Sequence, residues 1–222
     1  MQFTLINARP SPFGRKVAIA LIEKGLKYAV RYDVPWSNQT CTPNFSPLEQ
    51  LPILIDEKEE FIYDSTYILE WLETRFPNPP LLPSDIERRL AAKKRQMLGE
   101  RLMEIAQNLI FEMHRPDPSA AWIERQTRKI LGGLAELERL YANRKPNGGA
   151  DEMIDLGDIA IGTTLLLFEF AVAARLSPAI DALRWRSRYT GLTRFLEALE
   201  NRPSFLATTP EHMDVDLQAT VR

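Results

Sequence analysis

Cysteine is nearly missing from this sequence, with Cys41 the only one in 222 residues. A single thiol closes no internal disulfide and builds neither a CxxC redox pair nor a cysteine zinc cluster, so a reducing compartment, the cytoplasm, is the expected setting. Histidine is almost as scarce. His114 and His212 are far apart and lack ligand spacing, which leaves no expectation of a metal site. Neither charge is in excess: 28 Lys and Arg stand against 30 Asp and Glu, for a formal net charge of -2. That balance argues against a nucleic-acid partner held by global charge. Met1 to Ile6 contain no basic segment leading into a long apolar one, so no signal peptide is read there. The most apolar stretch, Ile159 to Leu176, is interrupted by Glu169 and Arg175 and is barely long enough to cross a bilayer. It reads as a helix buried on all sides of a soluble domain, with no membrane partner expected.

What is present is the material of a globular protein. With 45% hydrophobic and 26% charged residues, the chain has side chains for a core and no charge excess to oppose folding. Its length suits two small domains. Phe3 and Leu5 alternate with polar neighbours, as in a short strand. From Phe13 the apolar positions move to Val17, Ala20 and Leu21, a helical stripe that closes at Gly25, and Tyr28 to Val34 reads as a second strand. Strand, helix, strand at this spacing is a βαβ unit. Ile53 to Ile55 and Phe61 to Tyr63, joined by polar Asp56 to Glu60, predict a hairpin. Ser65 is then placed to cap a helix carrying Ile68, Leu69, Leu72 and Phe76.

The segment Pro77 to Pro83 neither continues a helix nor pairs in a central strand. It predicts a domain boundary: residues 1–78 form an α/β domain, 79–85 a linker and 86–222 an all-helical domain. Leu98, Leu102, Ile105, Leu109 and Met113 line one face of a long helix. Ile123, Ile130, Leu134, Leu137 and Tyr141 line the next, which is expected to end near Pro146 to Gly149. Gly132 and Gly133 fall inside it, where each weakens a helix by about 1 kcal/mol relative to Ala. Asp155 and Asp158 open the apolar helix as cap and first-turn acid, and Tyr189 to Glu200 is a last amphipathic helix. The polar tail after Pro210 is expected to be loosely held.

Four short motifs carry chemistry. Ser11-Pro12-Phe13-Gly14-Arg15-Lys16 lies between the first strand and the first helix, where Pro12 suits the first helical position and Ser11 the N-cap, beside the positive end of the helix. Ser46 to Leu54 holds Pro52 at the entry to a strand, and Tyr63-Asp64-Ser65 runs from a strand straight into a helix. Asn201 to Phe205 reads as a helix stop. Each motif alone has an ordinary use as a cap or turn. Together, in this order around the Pro-rich boundary and with Asp155 to Asp158 behind them, they resemble the glutathione transferase superfamily in its bacterial serine-type branch. The resemblance runs from Phe3 to about Pro210.

That resemblance implies a thioredoxin-like N-terminal domain that binds glutathione. It also implies an all-α C-terminal helical bundle shaping a pocket for a hydrophobic electrophilic small molecule. Ser11 matches the residue whose hydroxyl hydrogen-bonds the glutathione sulfur. Leu51, before an expected cis Pro52, matches the residue whose backbone pairs with the cysteinyl unit. Asp64 and Ser65 match the groups that hold the γ-glutamyl amine and carboxylate, Gln50 reaches toward the glycine end, and Phe13 walls the sulfur. The second-substrate pocket is expected to draw on Phe13, Trp36, Met103, Gln107, Phe111, His114 and Arg115. Other branches use a first-strand tyrosine or a loop cysteine. The first tyrosine here is Tyr28 and Cys41 lies outside the loop, which leaves Ser11; Asn7 and Arg9 are polar neighbours able to assist it, though each reads first as a solvated loop residue.

The resemblance further implies a homodimer, with glutathione as co-substrate and no permanently bound cofactor. Its first implied activity is attack by the glutathione thiol on an electrophile. The same scaffold also supports glutathione-dependent peroxide reduction, dehalogenation or isomerisation, and a non-catalytic regulator like stringent starvation protein A. Fold alone does not choose among them.

Overall fold

β1 (Phe3–Asn7) is an inner strand, and its composition follows from that position. Phe3, Leu5 and Ile6 are all buried, so both faces of the strand are packed and the alternation in the sequence describes only one of them. The chain continues through α1 (Pro12–Glu23) and returns as β2 (Tyr28–Tyr32), parallel to β1 with Leu5 opposite Val30. α1 stops where Gly25 takes φ +66, a left-handed conformation that glycine enters without steric cost. β3 (Ile53–Ile55) pairs antiparallel with the other side of β1, and β4 (Phe61–Ile62) pairs antiparallel with β3. The result is a mixed sheet in the order β2-β1-β3-β4. α2 (Ser65–Arg75) follows and packs on α1. This βαβ then ββα order is the thioredoxin-like arrangement expected from the sequence. The computed structural model describes residues 2–142 and 153–220, which leaves the expected turn at Pro146 to Gly149 outside the described residues.

These elements form a first unit made of residues 1–92 together with 203–213. The Pro-rich segment is fastened to that unit rather than spanning open solvent. Lys24, at the end of α1, is fully buried and pairs with Glu73 of α2 at 2.7 Å. Its ammonium also donates to the carbonyls of Phe76 and Pro79, while the Glu73 carboxylate accepts the Leu81 and Leu82 N–H groups. A buried ion pair offsets its desolvation only when its remaining hydrogen-bonding capacity is answered, and here backbone groups answer it. By its contacts the first unit reaches past the Pro-rich segment into α3 (Ile86–Met113), as far as Ala92.

Residues 203–213 return to the first unit after the helical region. α9 (Pro203–Leu206) packs on α1: Arg15 donates to the Phe205 carbonyl at 3.0 Å and Ser204 donates to Glu23. Further on, Glu211 pairs with Arg9 and its N–H donates to the Arg9 carbonyl. The tail expected to hang loosely after Pro210 is therefore tied at Glu211.

The second unit comprises residues 93–202 with 214–222, and its elements among the described residues are all helices. Besides α3 it contains α4 (Ala120–Tyr141), α5 (Leu156–Ala173), α6 (Pro178–Asp181), α7 (Trp185–Arg188), α8 (Thr190–Glu200) and α10 (Leu217–Thr220). α5 begins with a complete capping box: the Asp155 carboxylate accepts the Asp158 N–H, and the Asp158 carboxylate accepts the Asp155 N–H. Tyr141 of α4 donates to Asp158, and Arg95 of α3 pairs with Asp155, which ties three helices at one cap. The helix passes the length and hydropathy test for a membrane span, with mean hydropathy 1.7, yet 67% of it is buried inside the protein. It is the core helix expected. α8 has no side-chain cap of its own. The Glu138 carboxylate from α4 accepts the Gly191 and Leu192 N–H groups instead, each at 2.9 Å.

Candidate functional site

Sheet register brings the motifs of the first unit to one end. Ile6 of β1 pairs with Ile53 of β3, so the Leu51–Pro52 peptide stands beside the end of β1 from which the chain leaves toward α1. Leu54 pairs with Ile62 of β4, so the same antiparallel register carried two residues further brings Asp64 opposite Pro52. The N-terminus of α1, the entry to β3 and the N-terminus of α2 therefore share one end of the sheet.

At α1, Ser11 is the N-cap, in extended conformation, and Pro12 is the first helical residue. The Ser11 Oγ accepts the Gly14 N–H at 3.2 Å. A serine hydroxyl also carries one donor hydrogen, and that hydrogen is left to a further acceptor at the positive end of the helix. Phe13 lies partly exposed in the same turn. The Leu51–Pro52 peptide is cis, the isomer expected for this loop. The Leu51 backbone makes no hydrogen bond among the described residues, so its N–H and C=O form a short open edge. Gln50, next to it, is exposed.

At α2 the cap differs from the sequence expectation. Asp64, not Ser65, is the N-cap, and its carboxylate accepts the Thr66 and Tyr67 N–H groups at 3.1 and 3.2 Å. Ser65 is the first helical residue and is buried. The peptide joining Tyr63 to Asp64 is also cis. Trp36 is exposed in the loop after β2, which is organised by Asp33. The Asp33 carboxylate accepts the Thr40 and Thr42 hydroxyls and the Val34 and Cys41 N–H groups. Partial burial pushes its pKa up, but the hydrogen bonds from Thr40, Thr42, Val34 and Cys41 outweigh it and hold the group below its ordinary value.

The remaining candidates lie on α3 and just beyond it, in the second unit. Met103 is fully buried, so its side chain is a core residue of the structure rather than an open pocket contact. Gln107, Phe111 and His114 are partly exposed and Arg115 is exposed. His114 follows the last helical residue and its Nδ1 lies 2.8 Å from the Ile110 carbonyl. No group of three or more His, Cys, Asp or Glu among the described residues is arranged to hold a metal.

The burial of three side chains near Ser11 in the chain was not legible in the sequence. Asn7 was expected in solvent and is buried. Arg15 and Lys16, charged residues on the first turns of α1, are buried as well. Arg15 reaches the Phe205 carbonyl and the Thr208 hydroxyl, and Lys16 reaches the Thr66 hydroxyl of α2. Arg9 stacks over the Tyr32 ring, 4.3 Å from its centroid, in addition to its pairing with Glu211. Charge conceals such residues from any reading that assigns charged side chains to the surface.

Known proteins agree with this geometry along both halves of the chain. The family model for the glutathione S-transferase N-terminal domain matches residues 5–80, and that for the glutathione S-transferase C-terminal domain matches residues 120–198. A glutathione S-transferase from Methylobacterium radiotolerans, solved in complex with glutathione sulfonate, is 40% identical, with a TM-score of 0.87 over 97% of this chain and 98% of that one. A second, from Methylobacillus flagellatus with glutathione bound, is 28% identical, with a TM-score of 0.83 over 94% of this chain and 100% of the other. The uncharacterized GST-like protein YibF of Escherichia coli is 28% identical over 208 residues, 93% of this chain and 98% of its own. A thioredoxin-like unit with its motifs gathered at one sheet end, a helical unit that follows it in the chain, and these matches over both make the chain a member of the glutathione S-transferase family.

Proposed function

We propose that this protein is a glutathione transferase in which Ser11 stabilises the thiolate of bound glutathione for attack on an electrophilic small molecule. The observation that carries the reading is the Ser11 hydroxyl, which accepts the Gly14 N–H at the N-cap of α1 and keeps its own hydrogen to donate. The glutathione sulfonate complex of one similar solved protein and the glutathione complex of the other support glutathione as the ligand. In this reading the Leu51 backbone edge pairs with the cysteinyl unit, and Asp64 and Ser65 hold the γ-glutamyl end. Gln50 reaches toward the glycine end and Phe13 walls the sulfur.

The chemical need is a thiolate, since an ordinary thiol with a pKa of about 8.5 is mostly protonated at neutral pH. A hydrogen bond to a charged acceptor contributes about 1.5–3 kcal/mol, and a helix N-terminus adds about 0.3–1 kcal/mol. At about 1.36 kcal/mol per pKa unit, the two lower the thiol pKa by about one to three units. The hydroxyl is the larger contribution. The thiol proton leaves to solvent, the sulfur forms a bond to the electrophilic carbon, and the leaving group departs with its electron pair. The electrophile is bound by the helical unit, with Gln107, Phe111, His114 and Arg115 as the residues assigned to it. We place the reaction in the cytoplasm and the protein in a homodimer.

Ser11→Ala is expected to keep the fold and most of the affinity for glutathione while lowering conjugation of chlorodinitrobenzene about ten- to a hundredfold at neutral pH. The deciding measurement is the thiolate absorbance of bound glutathione titrated against pH. An identical titration in the wild type and the variant would remove Ser11 from this role.

A further inference from the structure

Asn7, the last residue of β1, is 8% exposed. Its main-chain carbonyl is used, accepting the Asp33 N–H at 3.0 Å. Its side chain is not. Oδ1 is buried and accepts no hydrogen bond, and no bond from Nδ2 occurs among the described residues. A carboxamide brings one acceptor and two donors; the acceptor is buried without a partner, which costs stability, and the two donors are engaged by no group among the described residues. Such a group at the end of a strand, beside a ligand site, is poised for a partner from outside the chain.

Gly14 fixes which way the amide faces. A Cβ on Gly14 would lie 1.7 Å from Asn7 Oδ1 and 2.6 Å from Nδ2, so the carboxamide presses on the bare Cα of the first turn of α1 with its oxygen leading. A carbonyl oxygen tolerates a Cα–H there as a weak donor, whereas an NH2 group in the same place would face hydrogen with hydrogen. The oxygen therefore belongs inward and the two N–H donors on the opposite edge. The same Gly14 donates its N–H to Ser11 Oγ. One glycine thus touches Asn7 through its Cα and Ser11 through its nitrogen, and the two polar groups flank a single turn. Charged groups on the surrounding elements are engaged elsewhere: Arg9 with Glu211, Arg15 with Phe205, Lys16 with Thr66, and Asp33 with Thr40 and Thr42.

We propose that Asn7 is a second donor to the glutathione sulfur, its carbonyl seated on Gly14 and its amide hydrogens turned to the thiolate beside the Ser11 hydroxyl. This rests on the reading of Ser11 given above. Asn7 transfers no proton. It hydrogen-bonds the anion and so favours the ionised thiol.

The test uses the full chain and two ligands, glutathione and S-methylglutathione, whose thioether cannot ionise. Asn7→Ala is expected to raise the pKa of bound glutathione by about one unit and to lower kcat/KM for chlorodinitrobenzene about tenfold at neutral pH, with recovery in alkaline buffer. Affinity for S-methylglutathione, measured by calorimetry, is expected to stay within about twofold. Asn7→Asp keeps the shape against Gly14 but replaces the donors with negative charge, and is expected to raise the thiol pKa further, so it serves if the alanine variant does not fold. Equal thiol titrations in wild type and variants would overturn the proposal. So would a loss of S-methylglutathione affinity as large as that for glutathione, the signature of a purely structural residue. A wild-type protein that binds neither ligand would instead remove the parent reading, and this inference with it.

Discussion

At the start of α2, Asp64 and Ser65 are adjacent and occupy different structural positions, which makes their contributions separable. Asp64 caps the helix through two N–H groups, so Asp64→Ala should lose about 0.5–2 kcal/mol of stability along with glutathione affinity. Ser65 is not the cap. If Ser65 holds the γ-glutamyl end as proposed, Ser65→Ala should weaken glutathione binding with little change in melting temperature, because no cap is lost. Calorimetric titration beside a thermal melt checks both, and wild-type affinity in Ser65→Ala would leave this residue a packing position only. The motif itself was legible in the sequence because a strand ran directly into a helix. Which of two neighbouring polar residues would cap was not, since both types cap well and the choice is made by backbone geometry at the strand end. Asn7 escaped for a different reason: nothing local distinguishes a polar residue ending a buried strand from one opening an exposed loop.

At the scale of elements, the two glycines in the middle of α4 have opposite surroundings. A Cβ on Gly133 would meet Leu102 of α3 at 2.6 Å, while one on Gly132 would meet nothing within 4 Å. Gly132→Ala should therefore stabilise the protein by up to about 1 kcal/mol, through helix propensity alone. Gly133→Ala must displace Leu102 and should be neutral or destabilising by about 1–3 kcal/mol. Chemical denaturation of the two variants settles the contrast. The sequence showed the helix and the anomaly within it, but the partner that makes one glycine necessary is far away in the chain.

The loop after β2 has its own dependence on pH. Asp33 has a folded pKa below its ordinary value of 3.8, so it stabilises the folded state while ionised. That contribution is fully present above the unfolded pKa and is lost as pH falls through the lower folded value. Asp33→Asn should remove this acid-side loss, so the stabilities of wild type and variant should approach each other as pH falls through the folded value and differ at neutral pH. Urea unfolding at a series of pH values measures it, and a constant difference across the acid range would count against the carboxylate. The exposure of the loop keeps the effect modest.

For the whole molecule, assembly is the property to test. Apolar side chains left in solvent gather on α2 and the first half of α3, with Tyr67, Ile86, Leu90 and Met97 all exposed. Trp71 of α2 lies under the Arg75 guanidinium, 5.7 Å from its ring centroid. A homodimer formed by α2 around Trp71 and Arg75 against α3 around Met97 and Arg101 of a second copy would cover this surface. Light scattering should then give twice the 25.5 kDa chain mass, and a stable monomer at micromolar concentration would exclude it. Met97→Glu should shift the equilibrium toward monomer without disturbing either core. The two-domain plan itself was readable from period changes along the chain and from the Pro-rich segment. The reach of the first unit's contacts into α3 was not, because helical periodicity runs unbroken across Ala92.

The return of residues 203–213 to the first unit gives the molecule an order of completion that differs from its order of synthesis. On the ribosome, the sheet and its two helices emerge early, yet the Phe205 carbonyl that receives Arg15 and the Glu211 carboxylate that receives Arg9 emerge only after residues 93–202 of the helical unit. The turn that carries Ser11 is therefore finished last, although its own residues are among the first translated. Interrupting translation near residue 200 would leave almost all of both units built and the loop around Ser11 without its late-arriving contacts.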